Sequence, residues 1–260
     1  MTPLMTDSLI PLSLASSTDG PVLMAVLRRS GAIRETPLHQ HARGQLLGAE
    51  QGLLTVDAGN ARWVVPATHA VWIPPATPHG LCSHGPYSGW NVYIAAAACD
   101  ALPDAPCILT LSGLLREAVT RAATWKENHL TASQQRLAGV ILDEIASLPQ
   151  VNLGLPMPQD ARLIRIARAL SARPDDARRL EEWAAWAGLS SRTLTRRFSA
   201  ETGFSFTQWR QRVRLLKALE LLAAGKPVTA VALDLGYDNV STFIALFRRV
   251  FGTTPGRYQI

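Results

Sequence analysis

The chain has 260 residues, 47% of them apolar, which is enough for about two packed domains and excludes a disordered or collagen-like protein. The net charge of +6 is unevenly placed: residues 1–110 carry 5 Lys/Arg against 7 Asp/Glu, whereas residues 151–260 carry 17 against 9, a surplus that steers a domain towards phosphates. No apolar run approaches the ~20 residues that cross a bilayer, no basic region introduces the start at Met1, and Cys82, Cys99 and Cys107 lack CxxC spacing, so a cytoplasmic protein with reduced thiols and no membrane partner is expected.

Residues 21–108 read as short apolar runs, at 22–27, 46–47, 53–56, 62–65, 70–73 and 90–97, separated by turn residues. That texture predicts a small antiparallel barrel or sandwich. Asp57-Ala58-Gly59-Asn60 is the strongest hairpin signal, because Gly59 and Asn60 tolerate positive φ. His39-Gln40-His41 on a strand sets two imidazoles on one face, Gln45 follows at a spacing of four, and a third imidazole ends Pro74-Pro75-Ala76-Thr77-Pro78-His79. This pattern resembles the two sequence motifs of cupin barrels. The resemblance implies that His39, His41, Gln45 and His79 converge on one divalent transition metal (Zn, Ni, Fe or Mn), with Gln45 where an acid is common and Ala76 where glycine is common. The same residues also read as the lining of a pocket for an organic effector, with Trp63, Trp72 or Trp90 as apolar walls and Arg43 placed to meet an anionic effector. His69, His84 and His129 have no partner at ligand spacing and read as surface or core positions.

From Leu111 the period changes to that of helices. Leu111, Leu114, Leu115, Val119 and Ala122 form one apolar stripe, and Leu137, Val140, Ile141, Ile145 and Leu148 form another after the N-cap region Thr131-Ala132-Ser133. These helices, within a segment 111–159, are expected to pair the protomers of a homodimer. Residues 149–158 hold three prolines and a glycine and read as the linker. Beyond it the chain reads as helices broken at Arg173-Pro174-Asp175, Gly188, Gly203, Gly225-Lys226-Pro227, Gly236 and Gly252.

A degenerate repeat runs through this last region. Ala184-Ala185-Trp186-Ala187-Gly188-Leu189-Ser190 matches Ala232-Leu233-Asp234-Leu235-Gly236-Tyr237-Asp238, each a helix stopped by glycine and followed by an apolar residue and a small polar cap. Leu194 and Phe198 recur as Phe243 and Phe247, and Gly203 with Trp209 recurs as Gly252 with Tyr258. The result is two helix-turn-helix units about 49 residues apart. With Leu194 and Phe198 buried, Arg192, Arg196 and Ser199 point outward, flanked by Thr193 and Thr195. Arginine there suits bidentate reading of guanine in a major groove, and threonine suits a base edge or a thymine methyl. On the second reading helix Ser241, Thr242 and Ala245 face outward, which suggests methyl contacts or shape readout, and Arg248 and Arg249 suit phosphates. The connecting helix at about 207–224 is expected to hold the two reading helices about 34 Å apart, one turn of double-stranded DNA.

Gly188-Leu189-Ser190 with Arg192, Leu194, Arg196 and Phe198, then Gly203, Trp209-Arg210, Gly236-Tyr237-Asp238, Phe243, Phe247, Phe251-Gly252, Thr254-Pro255 and Tyr258 resemble the AraC/XylS family of bacterial transcriptional regulators. Ala245 stands where that pattern often has arginine. The resemblance implies an α+β chain in three parts: an all-β, cupin-like, effector-sensing barrel at 1–110, a helical dimerisation segment and linker at 111–159, and an all-α domain with two helix-turn-helix units at 160–260. It further implies promoter DNA, a small-molecule effector and, for an activator, RNA polymerase as partners. A cupin oxygenase or isomerase is the competing reading. It lacks a carboxylate at the usual ligand place and any other catalytic set, and it leaves the doubled units unexplained.

Overall fold

The computed structural model describes residues 15–17, 20–125, 129–151 and 153–258. The start of the chain, read above for the absence of a leader, and Asn152 in the expected linker lie outside the described residues. Backbone contacts divide the chain into two compact units, residues 1–59 with 63–154 and residues 60–62 with 155–260.

In chain order the strands are β1 (Leu23–Ser30), β2 (Glu35–His39), β3 (Gly44–Gln51), β4 (Leu53–Ala58), β5 (Ala61–Pro66), β6 (His69–Ile73), β7 (His79–Ser83), β8 (Tyr87–Ile94) and β9 (Cys107–Thr110). Helices α1 (Gly113–Ala122) and α2 (Ala132–Ser147) follow, and then β10 (Gln150–Val151) and β11 (Gly154–Pro156). Among the described residues these strands make a six-stranded sheet ordered β1-β8-β3-β6-β9-β10 and a five-stranded sheet ordered β11-β5-β4-β7-β2. The expected barrel or sandwich is thus realised as two sheets that do not close. The segment expected as a linker carries the short strands β10 and β11, and the division between the units follows Gly154.

Period-two alternation gives the six-stranded sheet two different faces. Leu23, Ala25, Leu46, Ala70, Trp72, Trp90, Val92 and Ile94 form one core with Leu115, Val119, Ile141 and Ile145 of α1 and α2. Of the apolar stripes expected to pair protomers, Leu115, Val119, Ala122, Ile141 and Ile145 are buried in this core. Leu114, counted in the first stripe by spacing, is 55% exposed, because it sits about 100° round the helix from its buried neighbour Leu115. Trp90 lies against Gly48, where an added Cβ would overlap the indole, so a bare backbone at that position makes room for the ring. The other face, with Gln45, Leu47, Tyr87, Asn91 and Tyr93, is the one on which a cavity forms.

The second unit is helical: α3 (Ala161–Ala172), α4 (Leu180–Trp186), α5 (Ser191–Thr202), α6 (Phe206–Ala223), α7 (Val228–Asp234) and α8 (Val240–Phe251). The helices stop where the sequence places breaks, and Gly203 and Gly252 close α5 and α8 at φ 74° and 75°, a left-handed cap that favours glycine. Capping supports the starts: Ser190 accepts from the Thr193 amide, Ser205 and Gln208 form a capping box on α6, and Asn239 accepts from the Ser241 amide. Asp238, the cap expected from the repeat, is displaced by Asn239 because the second turn is one residue longer: the turn glycines Gly188 and Gly236 are 48 apart, whereas the caps Ser190 and Asn239 are 49 apart.

Candidate functional site

The two helix-turn-helix units, α4 with α5 and α7 with α8, are held by the same aromatic device. Phe198 of α5 is fully buried and meets Trp209 edge to face at 5.3 Å, and Phe247 of α8 is fully buried and meets Tyr258 edge to face at 5.4 Å. Anchored this way, α5 and α8 turn their opposite sides to solvent. Arg192, Thr195 and Arg196 are exposed on α5, and Ser241, Thr242, Ala245, Arg248 and Arg249 are exposed on α8. Thr193 is half-buried with its hydroxyl 2.9 Å from that of Ser190, so it completes the helix start.

The basic surplus of this unit is not all at that surface. Arg197, next to Arg196, pairs with Asp160, the N-cap of α3. Arg178 lies 3.6 Å over the Trp183 ring and pairs with Asp176 at 2.7 Å. Arg214 donates to the Pro174 carbonyl at 2.9 Å, and Arg210 donates to the carbonyls of Asp176 and Arg178. Charge counting cannot distinguish these arginines, of which Arg178, Arg210 and Arg214 hold the loop between α3 and α4, from those left to meet a duplex. Asp160 caps α3 and its partner Arg197 lies 37 residues away, a pairing that no local signal in the sequence marks.

In the first unit the cupin-like residues do meet. His39 at the end of β2 is the register partner of His79 at the start of β7, and each of His39, His41 and His79 can bring a ring nitrogen within 4.8 Å of the others. The turn before His79 contains Ala76 at φ 56°, a left-handed conformation natural to the glycine common at that position. All three rings are oriented alike: Nδ1 of His39, His41 and His79 lies 2.8, 2.7 and 2.8 Å from the carbonyls of Pro37, Arg43 and Thr77. This fixes the tautomer that leaves Nε2 as a lone pair, the arrangement metal-ligating histidines adopt.

Two further details bear on whether a cation fits. His79 Nε2 is buried without a hydrogen-bond partner, and burial pushes this imidazole down to about 4, so it is neutral at pH 7. The other ring nitrogen of His41 faces Gln45 Oε1 at 3.1 Å, while the Gln45 amide donates to Asn91 Oδ1 at 2.9 Å. With Nδ1 donating to the Arg43 carbonyl, Nε2 of a neutral His41 is an acceptor, and the Gln45 side-chain amide beside it can turn its N–H towards it. A second proton is disfavoured by burial, which lowers the His41 pKa.

These groups open on a cavity of about 180 Å³ lined also by Arg28, Arg34, Leu47, Leu81, Tyr87 and Tyr93. Arg43, Trp63 and Trp72 are not among its lining residues. Arg43 is fully buried and donates to the Pro21 carbonyl at 2.8 Å. Trp72 faces the helix-side core with its indole N–H on the Pro103 carbonyl at 2.7 Å, and Trp63 on β5 donates to the Ala58 carbonyl.

A family model described as a helix-turn-helix domain matches residues 183–259. The chain is 36% identical over 227 residues to the HTH-type transcriptional regulator NimR of Escherichia coli (strain K12), covering 86% of this chain and 82% of the relative. It is 36% identical over 122 residues to the HTH-type transcriptional regulator RipA of Corynebacterium glutamicum, covering 47% of this chain and 35% of that relative. Among solved structures, ToxT from Vibrio cholerae aligns over 92% of this chain and 98% of its own, with a TM-score of 0.40 and 10% identity. The chain belongs to the AraC family of transcriptional regulators. As an AraC-family member it is a DNA-binding transcriptional regulator and not an enzyme. No helix among the described residues of this AraC-family chain is long and apolar enough to cross a membrane. The cavity residues that sequence reasoning missed, Arg28, Tyr87, Asn91 and Tyr93, carried a weak signal: on β1 and β8 they share the parity opposite to the Leu23 and Trp90 stripes.

Proposed function

We propose that this regulator reads a promoter with Arg192, Thr195 and Arg196 of α5 as base-contacting residues, backed by Thr193. In this reading Ser241, Thr242 and Ala245 of α8 follow groove shape and methyl groups, while Arg248 and Arg249 hold phosphates. The observation that carries it is the repeated aromatic anchor, Phe198 on Trp209 and Phe247 on Tyr258, which leaves one polar face free on each of two equivalent helices. The 18-residue α6 between the units is ~27 Å long, a fitting spacer for successive major grooves.

The cavity of the first unit is the effector site in this reading. His39, His41, His79 and the Gln45 oxygen would hold one divalent transition metal there (Zn, Ni, Fe or Mn), supported by the orphaned His79 nitrogen and the common orientation of the three rings. The bound ion supplies a Lewis-acidic point to which a small molecule can attach. Of the residues first assigned to the effector, Arg43, Trp63 and Trp72, the proposal keeps none as a direct contact and gives their place to the lining residues. The protein acts in the cytoplasm as a homodimer, and it contacts RNA polymerase where the outcome is activation.

The test is a linked titration. Promoter affinity is measured with and without candidate effector, and effector affinity with and without promoter fragment, on protein of known metal content. Thermodynamic reciprocity requires the two factors to agree. An effector affinity unchanged by operator DNA would remove the sensing half of the proposal, and the absence of any promoter preference would remove the reading half.

A further inference from the structure

Every charge on α3 has one sign. From Ala161 to Ala172 the helix carries Arg162, Arg165 and Arg168 and no acidic residue. Leu163, Ile166, Ala167 and Leu170 form its buried stripe, so Ala161, Arg165, Arg168 and Ala172 share the opposite, exposed side. Arg162 is drawn back to the helix start by Asp160 at 3.4 Å, whereas Arg165 and Arg168 pair with no acidic group among the described residues.

This basic face is fixed beside the reading helix α5. Arg197 of α5 pairs with Asp160, the N-cap of α3, and the Glu201 carboxylate accepts from the backbone amides of Gln159 and Asp160 at 2.7 and 2.9 Å. Five residues further along α3, Arg165 donates to the carbonyl of Trp186, two residues before the Gly188 turn that leads into α5. Consecutive helical residues are ~100° apart, so Arg197 stands ~100° round α5 from Arg196. The partner helix of Arg197 therefore flanks the reading face, while Leu194 and Phe198 pack at its back. Packed helices lie ~8 to 10 Å apart and the major groove is ~12 Å wide, so a helix beside a groove-inserted one stands over the phosphates that border the groove.

The same place holds an exposed indole. Trp186 at the end of α4 is 41% exposed, with the Arg165 guanidinium 4.3 Å over its ring and Trp183 edge to face at 5.4 Å. The bond to the Trp186 carbonyl uses only Nη2 of Arg165, which leaves donors of the fork for a phosphate oxygen. Glu182, one turn earlier on α4, is engaged with the Arg179 amide at 2.7 Å.

We propose that this face is a further DNA contact: Arg165 and Arg168 hold phosphates of the strand bordering the groove that α5 reads, and Trp186 covers a deoxyribose beside them. Such contacts add affinity and fix register without reading sequence. The inference rests on the reading of α5 as the base-contacting helix.

The experiment is fluorescence anisotropy of the full chain on its promoter fragment and on a scrambled duplex, at salt from about 50 to about 200 mM. Arg168→Gln is the decisive variant, because this exposed side chain makes no hydrogen bond or ion pair among the described residues. It should weaken binding to both duplexes by the same factor and reduce the slope of log Kd against log salt by about 0.9. Wild type then loses about 3- to 4-fold more affinity than the variant over that range. Arg168→Lys should keep the wild-type slope, and Arg165→Gln combined with Arg168→Gln should take away about twice as much. Trp186→Ala should lower affinity and leave the slope alone. Slope and affinities of Arg168→Gln at wild-type level would overturn the proposal, and a fall in transcription alongside them would give the face to a protein partner. A loss confined to the promoter duplex would overturn it too, by making Arg168 a base contact. Failure of the underlying reading is distinguishable, since it shows as Arg196→Ala leaving the ratio of promoter to scrambled affinity unchanged on the same duplexes.

Discussion

Arg196 and Arg197 are neighbours on one helix with opposite fates, and truncating each in turn separates base reading from scaffolding. Arg196 is exposed on α5, and among the described residues it makes no hydrogen bond or ion pair, so Arg196→Ala should change stability by no more than ~0.5 kcal/mol. If its guanidinium forms a bidentate pair with a guanine, the loss on the cognate site is ~1 to 3 kcal/mol, about 5- to 150-fold in Kd, with a smaller loss on scrambled DNA. Arg197 is bound to Asp160, both side chains being partly exposed (42% and 17%), so Arg197→Ala should cost ~0 to 1 kcal/mol of folding stability and leave the ratio of cognate to scrambled affinity unchanged. Fluorescence anisotropy on promoter and scrambled duplexes over a salt series reads both quantities, with urea denaturation alongside. Equal losses on both duplexes for Arg196→Ala, with the salt slope reduced by about one, would make it a phosphate contact and refute the assignment.

Phe198→Ala and Phe247→Ala each remove a fully buried ring that locks a reading helix, so each should cost ~3 to 5 kcal/mol and lower the thermal midpoint of the second unit; a change below ~1 kcal/mol in calorimetry would mean that the rings are not anchors. Ala76→Gly removes a left-handed alanine worth ~1 to 2 kcal/mol of strain against ~0.5 to 1 kcal/mol of added chain entropy, so denaturation should show a small net gain, and a clear loss would contradict the backbone geometry of the turn before His79. Arg178, through its hydrogen bonds first, pulls the Asp176 carboxyl down to about 2, below the ~3.9 of an unfolded aspartate. Its contribution is therefore present above pH ~4 and lost as pH falls towards ~2, and Asp176→Asn should flatten stability over that window; an unaltered acid limb would discount the pair.

The helical unit was the more legible of the two, because its signals are local. Glycine after each short helix, the Phe198 and Phe247 spacing and the six-residue step to Trp209 and Tyr258 all mark contacts that form within one repeat. The one-residue lengthening of the second turn escaped, since Asp238 and Asn239 are equally good caps on paper and only the register of α8 chooses between them. The first unit was legible where motif and strand parity coincide, as for His39, His41, Gln45 and His79. It was illegible where long-range pairing decides. Arg43 and Trp72 sit beside cavity residues in sequence yet point into the interior elsewhere, because the face a strand residue takes depends on which sheet layer its neighbours cover.

Hydroxyl-radical footprinting of the full chain on its own promoter region, at several salt concentrations, tests whether the tandem units work as groove readers. The expected record is two protected patches on one face of the duplex, ~10 to 10.5 base pairs apart, fading together as salt rises, with the patch under α5 the one that Arg196→Ala erases. A single patch, or protection no stronger than on scrambled DNA, would contradict it.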